Sequence, residues 1–81
     1  MKNILITGGC GFIGSNFINN FFDESKYTIV NIDNMYYCAN INNIKENIRN
    51  SKNYHFVKGN VSSMDLVSYI LENNSIESVY Q

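Results

Sequence analysis

The residues with the clearest capacity for chemistry lie near the N-terminus, in Thr7-Gly8-Gly9-Cys10-Gly11-Phe12-Ile13-Gly14. This string satisfies both Gly-x-x-Gly-x-x-Gly and Gly-x-Gly-x-x-Gly. Each glycine answers a separate demand. The first lets the chain turn sharply out of a strand, the middle one lets backbone approach a diphosphate, and the last lets a helix pack close to the strand. A diphosphate in such a loop meets the free N–H groups of a helix start, where about half a unit of positive charge favours an anion. Gly8, Gly11 and Gly14 are therefore candidate diphosphate-binding positions.

A second group lies downstream. Asp33 stands 19 residues after Gly14, close to the roughly 20 expected for the acid that holds an adenosine ribose. A carboxylate there accepts hydrogen bonds from the ribose hydroxyls and repels a 2′-phosphate. Asn34, Met35 and Tyr36 follow, with no arginine to pair such a phosphate. The expected cofactor is NAD rather than NADP.

Other chemistry-bearing residues are less informative. Cys10 sits near a helix N-terminus, which would lower its pKa, but small buried packing is the commoner role of cysteine. Cys38 has no evident partner, and the two cysteines lack zinc-ligand spacing. His55 alternates with Tyr54 and Phe56 and has no nucleophile or carboxylate nearby in sequence, so it reads as structural. Tyr36 and Tyr37 suit adenosine contacts or packing equally. Arg49, Lys52 and Lys58 read as solvated charges. No catalytic residue and no metal site is expected in this chain.

These groups need elements to position them. Lys2 to Thr7 is a short apolar run stopped by Gly8-Gly9, which reads as a buried strand. Ile13, Phe17, Ile18 and Phe21 recur at helical spacing, predicting a helix from about Gly11 to Phe22. Tyr27 to Asp33 is β-branched and aromatic-rich, a second strand. After a loop at Asn34 to Asn40, Ile41, Ile44 and Ile48 mark one face of a polar helix ending near Arg49 to Ser51. Tyr54 to Val57 is a third strand. Ser62 and Asp65 approximate a capping box that opens a helix with Leu66, Val67, Ile70 and Leu71, ended by Asn73-Asn74. Ile76 to Tyr80 begins a fourth strand.

Strands alternating with helices predict an α/β fold, a Rossmann-type parallel sheet with helices on both faces. The expected element order is β-α-β-α-β-α-β, with strand order 3-2-1-4. Residues 1–81 would form the first portion of that domain, the second half and a substrate domain lying outside it. The chain would then leave a strand edge open to pairing.

Composition excludes several classes. The net charge is −1, with 16% charged and 44% hydrophobic residues, an ordinary globular balance with no basic surplus for nucleic acid. Fifteen asparagines stand beside no proline, which slightly lowers helix propensity. The apolar run Ile4 to Ile6 is shorter than a signal-peptide core of about 7–15 residues. Nothing approaches the ~20 apolar residues of a membrane span. A cytoplasmic protein without nucleic-acid or membrane partners is expected.

Thr7 to Ser15 resembles the start of extended short-chain dehydrogenase/reductase enzymes that act on nucleotide sugars. The more selective segment is Asn31-Ile32-Asp33-Asn34-Met35-Tyr36-Tyr37-Cys38-Ala39-Asn40-Ile41, which is similar to the acidic strand end and following loop of dTDP-glucose 4,6-dehydratases. Gly59-Asn60-Val61 resembles that family's Gly-Asp-Ile, and Ser75 to Gln81 the strand leading to its Phe-Ala-Ala motif. The resemblance implies backbone contacts from Phe12 and Ile13 to the cofactor diphosphate and a ribose grip by Asp33. It places Asn34, Met35 and Tyr36 along the adenosine, and Asn60 and Val61 beside the adenine. The family usually carries lysine or a similar residue where Asn34 stands and aspartate where Asn60 stands. Asn60 keeps an acceptor in its amide oxygen, so adenine recognition would be weakened, not abolished.

The resemblance implies a homodimeric enzyme acting on a nucleotide sugar. NAD takes a hydride from C4 of the glucosyl ring, water leaves across C5 and C6, and the hydride returns to C6. This segment alone would be catalytically incompetent. A nucleotide-sugar 4-epimerase shares the glycine loop and the Asp33-Asn34 strand end. A non-catalytic, truncated nucleotide-binding remnant is the reading from another class.

Overall fold

The computed structural model describes residues 2–35, 39–60, 64–73 and 75–80. Its regular elements are strand β1 (Lys2–Thr7), helix α1 (Phe12–Phe21), strand β2 (Tyr27–Asp33), a 3-10 turn (Ile41–Asn43), helix α2 (Glu46–Arg49), strand β3 (Tyr54–Lys58), helix α3 (Met64–Asn73) and strand β4 (Ser78–Tyr80). All strand pairs are parallel and the order is β3-β2-β1-β4, the expected Rossmann-type arrangement. No helix of the described residues is long and apolar enough to cross a membrane.

Alternation along the strands sorts the core into two layers. Ile4, Ile6 and Ile29 face one side with Ile18 of α1, Ile44, Ile48 and Tyr54. Leu5, Val30 and Ile32 face the other side with Ile70 of α3. Helices thus cover both faces, as a parallel sheet requires. An aromatic run strengthens the α1 side. Phe17 stacks on Phe21 at 4.9 Å and Phe21 on Tyr27 at 4.4 Å. Phe17 also meets Tyr80 of β4 at 5.5 Å. Contacts of this kind contribute about 0.5–1.5 kcal/mol beyond the area they bury. They dock α1, and hence its N-terminus, against the strand ends.

Two elements differ from expectation. β4 begins at Ser78, not Ile76. Glu77 donates its N–H to the Asn3 carbonyl, but its carboxylate, not a backbone oxygen, takes the Asn3 N–H. The larger correction is the polar helix expected from Ile41 onward. It is replaced by the 3-10 turn, an extended joint at Ile44 and Lys45, and a single helical turn.

Asparagine chemistry explains the break, because these side chains offer the backbone partners outside the helical ladder. Asn40 Oδ1 accepts from Asn42 N, Asn19 Oδ1 accepts from Lys45 N, and Asn43 Nδ2 donates to the Cys10 carbonyl. The isoleucine stripe accordingly splits, with Ile44 fully buried and Ile41 39% exposed. Ile44→Val should cost about 1 kcal/mol for one lost methylene. Ile41→Ala should change stability by less than about 0.5 kcal/mol, as exposed sites usually do. Urea denaturation of both variants checks the pair, which a continuous amphipathic helix would not separate.

Candidate functional site

β1 ends at Thr7, and the chain turns at Gly8, whose φ of +69° is the left-handed conformation that side chains disfavour. Gly14 is glycine for a different reason: a Cβ there would overlap the Gly8 carbonyl oxygen and press on the Gly9 backbone. These two positions fold the loop back on itself and bring the start of α1 against the tip of β1.

Gly11 has no such internal reason. Its φ is −76°, and an added Cβ would meet only the Gly8 oxygen, at an ordinary 3.6 Å. The missing side chain leaves open space on the outer side of the loop. Gly11 is also the N-cap of α1, so the helix has no side-chain cap, and no acidic residue occupies its first turn. Among the described residues, none accepts a hydrogen bond from the N–H groups of Phe12, Ile13 or Gly14. Helix starts ordinarily have such donors satisfied by caps, water or ligands. This one presents three amides and an uncompensated dipole end to whatever approaches.

Side chains of β2 hold the loop in place. Asp33 is buried, and its Oδ2 accepts from Cys10 N at 2.8 Å while Oδ1 accepts from Met35 N at 2.7 Å. A carboxylate offers about four lone-pair directions, so two remain for a ligand. No lysine or arginine among the described residues is paired with it. Met35 takes the left-handed region at φ 65°, turning the chain away just after the acid. Asn34 and Met35 are half-buried beside Asp33, and Asn60 is exposed after β3, where Gly59 N donates to the Asp33 carbonyl. Asn34, Met35 and Asn60 therefore gather at the same strand ends as the glycine loop. Tyr36 and Val61, with Tyr37, Cys38 and Ser62, lie outside the described residues.

The strand order reverses between β1 and β4, and a cleft of about 490 Å³ opens at that point. Its lining includes Thr7, Gly8, Ile13, Gly14, Phe17 and Tyr80. Ligands of open α/β sheets bind at such switch points, outside the carboxyl ends of the strands. Phe12 and Ile13 at the start of α1 are 76% and 82% exposed, and Ile13 lines the cleft.

Sequence reasoning missed Asn31. Fully buried in β2, it accepts from Gly9 N through Oδ1 and donates through Nδ2 to the Tyr54 hydroxyl and the Cys10 thiol. The available signal was a polar residue inside an otherwise apolar, doubly covered strand. A Tyr-x-x-x-Lys spacing, the hydride-transfer pair that the resemblance implies and that was expected to be absent from this chain, does occur at Tyr54 to Lys58. In a strand, four residues separate the two by about 13 Å, and the Tyr54 hydroxyl is engaged by Asn31, so the pair has no shared catalytic geometry.

Cys10 is a packing residue. Burial pushes its thiol pKa up against the Asn31 hydrogen bond, and nearby Asp33 pushes the same way, overriding the lowering expected from the helix start. Burial likewise raises the Tyr54 phenol. Both folded-state values lie above the unfolded ones, so the associated stability is intact at neutral pH. It is lost as pH rises, from about pH 8.5 for the thiol and about pH 10 for the phenol. Cys10→Ala should flatten the decline of melting temperature between those values. An unchanged slope would contradict the assignment.

A glycine loop, an uncapped helix start and a strand-end carboxylate at the switch point of a 3-2-1-4 parallel sheet define a Rossmann-type α/β fold. The pattern of the GDP-mannose 4,6 dehydratase family matches residues 5–81, and the chain belongs to that family. It is similar to a trifunctional UDP-glucose 4,6-dehydratase/UDP-4-keto-6-deoxy-D-glucose 3,5-epimerase/UDP-4-keto-L-rhamnose-reductase of Arabidopsis thaliana. Identity there is 42% over 79 residues, 96% of this chain and 12% of the relative.

A solved dTDP-glucose 4,6-dehydratase of Bacillus anthracis, in complex with NAD, superposes with TM-score 0.89 at 38% identity, covering 98% of this chain and 25% of that one. A UDP-N-acetylglucosamine 4-epimerase of Methanobrevibacter ruminantium gives TM-score 0.68 at 28% identity over 85% of this chain and 21% of its own. The chain therefore spans a quarter or less of these relatives' lengths.

Proposed function

We propose that residues 1–81 are the NAD-gripping first portion of the Rossmann domain of a nucleotide-sugar 4,6-dehydratase. The observation that carries this is the conjunction at α1: three amides without a partner among the described residues, a glycine at position 11 with no packing reason, and Asp33 beside them. These residues fit the group. The Phe12, Ile13 and Gly14 amides would receive the diphosphate, with Gly8 and Gly11 clearing its approach. Asp33 would accept from the adenosine ribose hydroxyls, with Asn34, Met35 and Tyr36 along the nucleoside and Asn60 and Val61 beside the base. When bound, NAD supplies the hydride acceptor for C4 of the hexose and the donor that later reduces C6. The segment's own part is to hold and orient the cofactor, and groups outside it carry the acid–base work.

The similarity to a dTDP-glucose 4,6-dehydratase supports this reading over the epimerase one, which rests on Asp33-Asn34 and a weaker structural likeness. On this reading the full-length protein is a cytoplasmic homodimer acting on a nucleotide-activated hexose. Calorimetric titration of the chain with NAD and NADP tests it. NAD should bind at least about tenfold more tightly, the effect of roughly 1.4 kcal/mol of carboxylate–phosphate repulsion. Equal affinity, or no binding of either, would overturn it. For the full-length protein, a 4-keto-6-deoxy product distinguishes dehydration from epimerisation.

A further inference from the structure

Asn31 stands out against its own strand. Its β2 neighbours Ile29, Val30 and Ile32 are buried and apolar, and a buried amide is costly unless its polar atoms find partners. Asn31 finds them on both sides. Its oxygen takes the Gly9 N–H at 3.0 Å, and its nitrogen donates to the Tyr54 hydroxyl at 3.0 Å. Gly9 is tailored to the same contact, since a Cβ there would collide with the Asn31 carboxamide.

We propose that Asn31, pinned by Tyr54, is a positioning residue that fixes the glycine-loop backbone and so aims the Phe12 to Gly14 amides at the cofactor diphosphate. This rests on the reading of that loop as the diphosphate grip. Between Gly8 and the helix start, the loop has two side-chain tethers from β2: Asp33 holds Cys10 N, and Asn31 holds Gly9 N. Tyr54 comes from β3, one strand further out, so the tether spans two strands before it reaches the loop.

The residue type follows from the chemistry. The amide oxygen accepts from Gly9 while the amide nitrogen donates to Tyr54 and to the Cys10 thiol; a carboxylate would offer acceptors only, so the Tyr54 hydroxyl would have to turn round and donate. Aspartate would also add a second buried anion two residues from Asp33, on the side that faces an anionic ligand. Leucine would leave the buried Gly9 N–H without an acceptor.

The test compares NAD with adenosine, which offers the ribose to Asp33 but carries no diphosphate. Both are titrated against the full chain and its Asn31→Ala and Tyr54→Phe variants. Asn31→Ala should weaken NAD about tenfold and Tyr54→Phe about threefold, the range of one lost hydrogen bond, with adenosine affinity kept within about twofold. Equal loss for both ligands shows a merely structural role and overturns the proposal, as does unchanged NAD affinity. Should Asn31→Ala fail to fold, the NAD-to-adenosine ratio in Tyr54→Phe decides alone. Failure of the unaltered chain to bind NAD strikes the underlying reading instead, before either variant is compared.

Discussion

Gly14→Ala is expected to lower the stability of the chain by about 3 kcal/mol, the upper end of what overpacking costs. The obstacle is backbone: the new methyl group would run into the Gly8 carbonyl and the Gly9 Cα, neither of which has a rotamer to change. Relief requires moving α1 away from β1, which breaks the Phe17 and Phe21 contacts with Tyr27 and Tyr80. A loss of that size is a large fraction of a small domain's total stability, and urea denaturation would show it directly. Gly11→Ala supplies the control. The position has an extended, alanine-compatible backbone and room for the methyl group, so stability should stay within about 0.5 kcal/mol. NAD affinity should nevertheless fall about 100-fold, as expected if the methyl group stands the diphosphate off from two amides. Comparable folding penalties in the two variants would mean that the glycines serve only packing.

The second large effect is expected at Asp33→Asn. The carboxylate accepts from two backbone amides that approach its two oxygens separately. An asparagine has a single acceptor oxygen, so its NH₂ must face either Cys10 N or Met35 N, donor against donor. An unsatisfied buried donor costs about 1–3 kcal/mol. Binding should suffer further, because the ribose hydroxyls lose a charged acceptor and the loop loses a tether. NAD affinity should drop about 100-fold, with NADP affected less because the repelling charge is gone. Preserved discrimination between the two cofactors would show that Asp33 does not face the adenosine sugar.

Much of this was legible in the sequence because it is local. The run Tyr27 to Asp33 carries its own strand signal, and the β2 boundaries match it. Alternation of element types and crossover handedness give a parallel sheet, and the glycine fingerprint with Asp33 selects the Rossmann order 3-2-1-4 among the windings they allow. The glycines and Asp33 are recognisable because spacing along the chain sets where they fall on a βαβ unit. The 41–51 segment misled because helical periodicity in isoleucines counts only apolar positions. It does not see that Asn19, twenty-odd residues upstream, will capture Lys45 N. Asn31 escaped notice for a related reason. Its partners Gly9, Cys10 and Tyr54 lie more than 20 positions away in the chain, and only the folded sheet brings them together.

The alternation of β2 has a consequence for how this sequence avoids misfolding. Asn31 and Asp33 point to one side, Val30 and Ile32 to the other. Sliding the strand by a single position against β1 would send the amide and the carboxylate into the oily layer beneath α3. It would strand two aliphatic side chains under the loop. That error is penalised twice, once by desolvating polar groups and once by releasing the loop. The groups that grip the nucleotide therefore also proofread strand alignment, so selection for one task maintains the other.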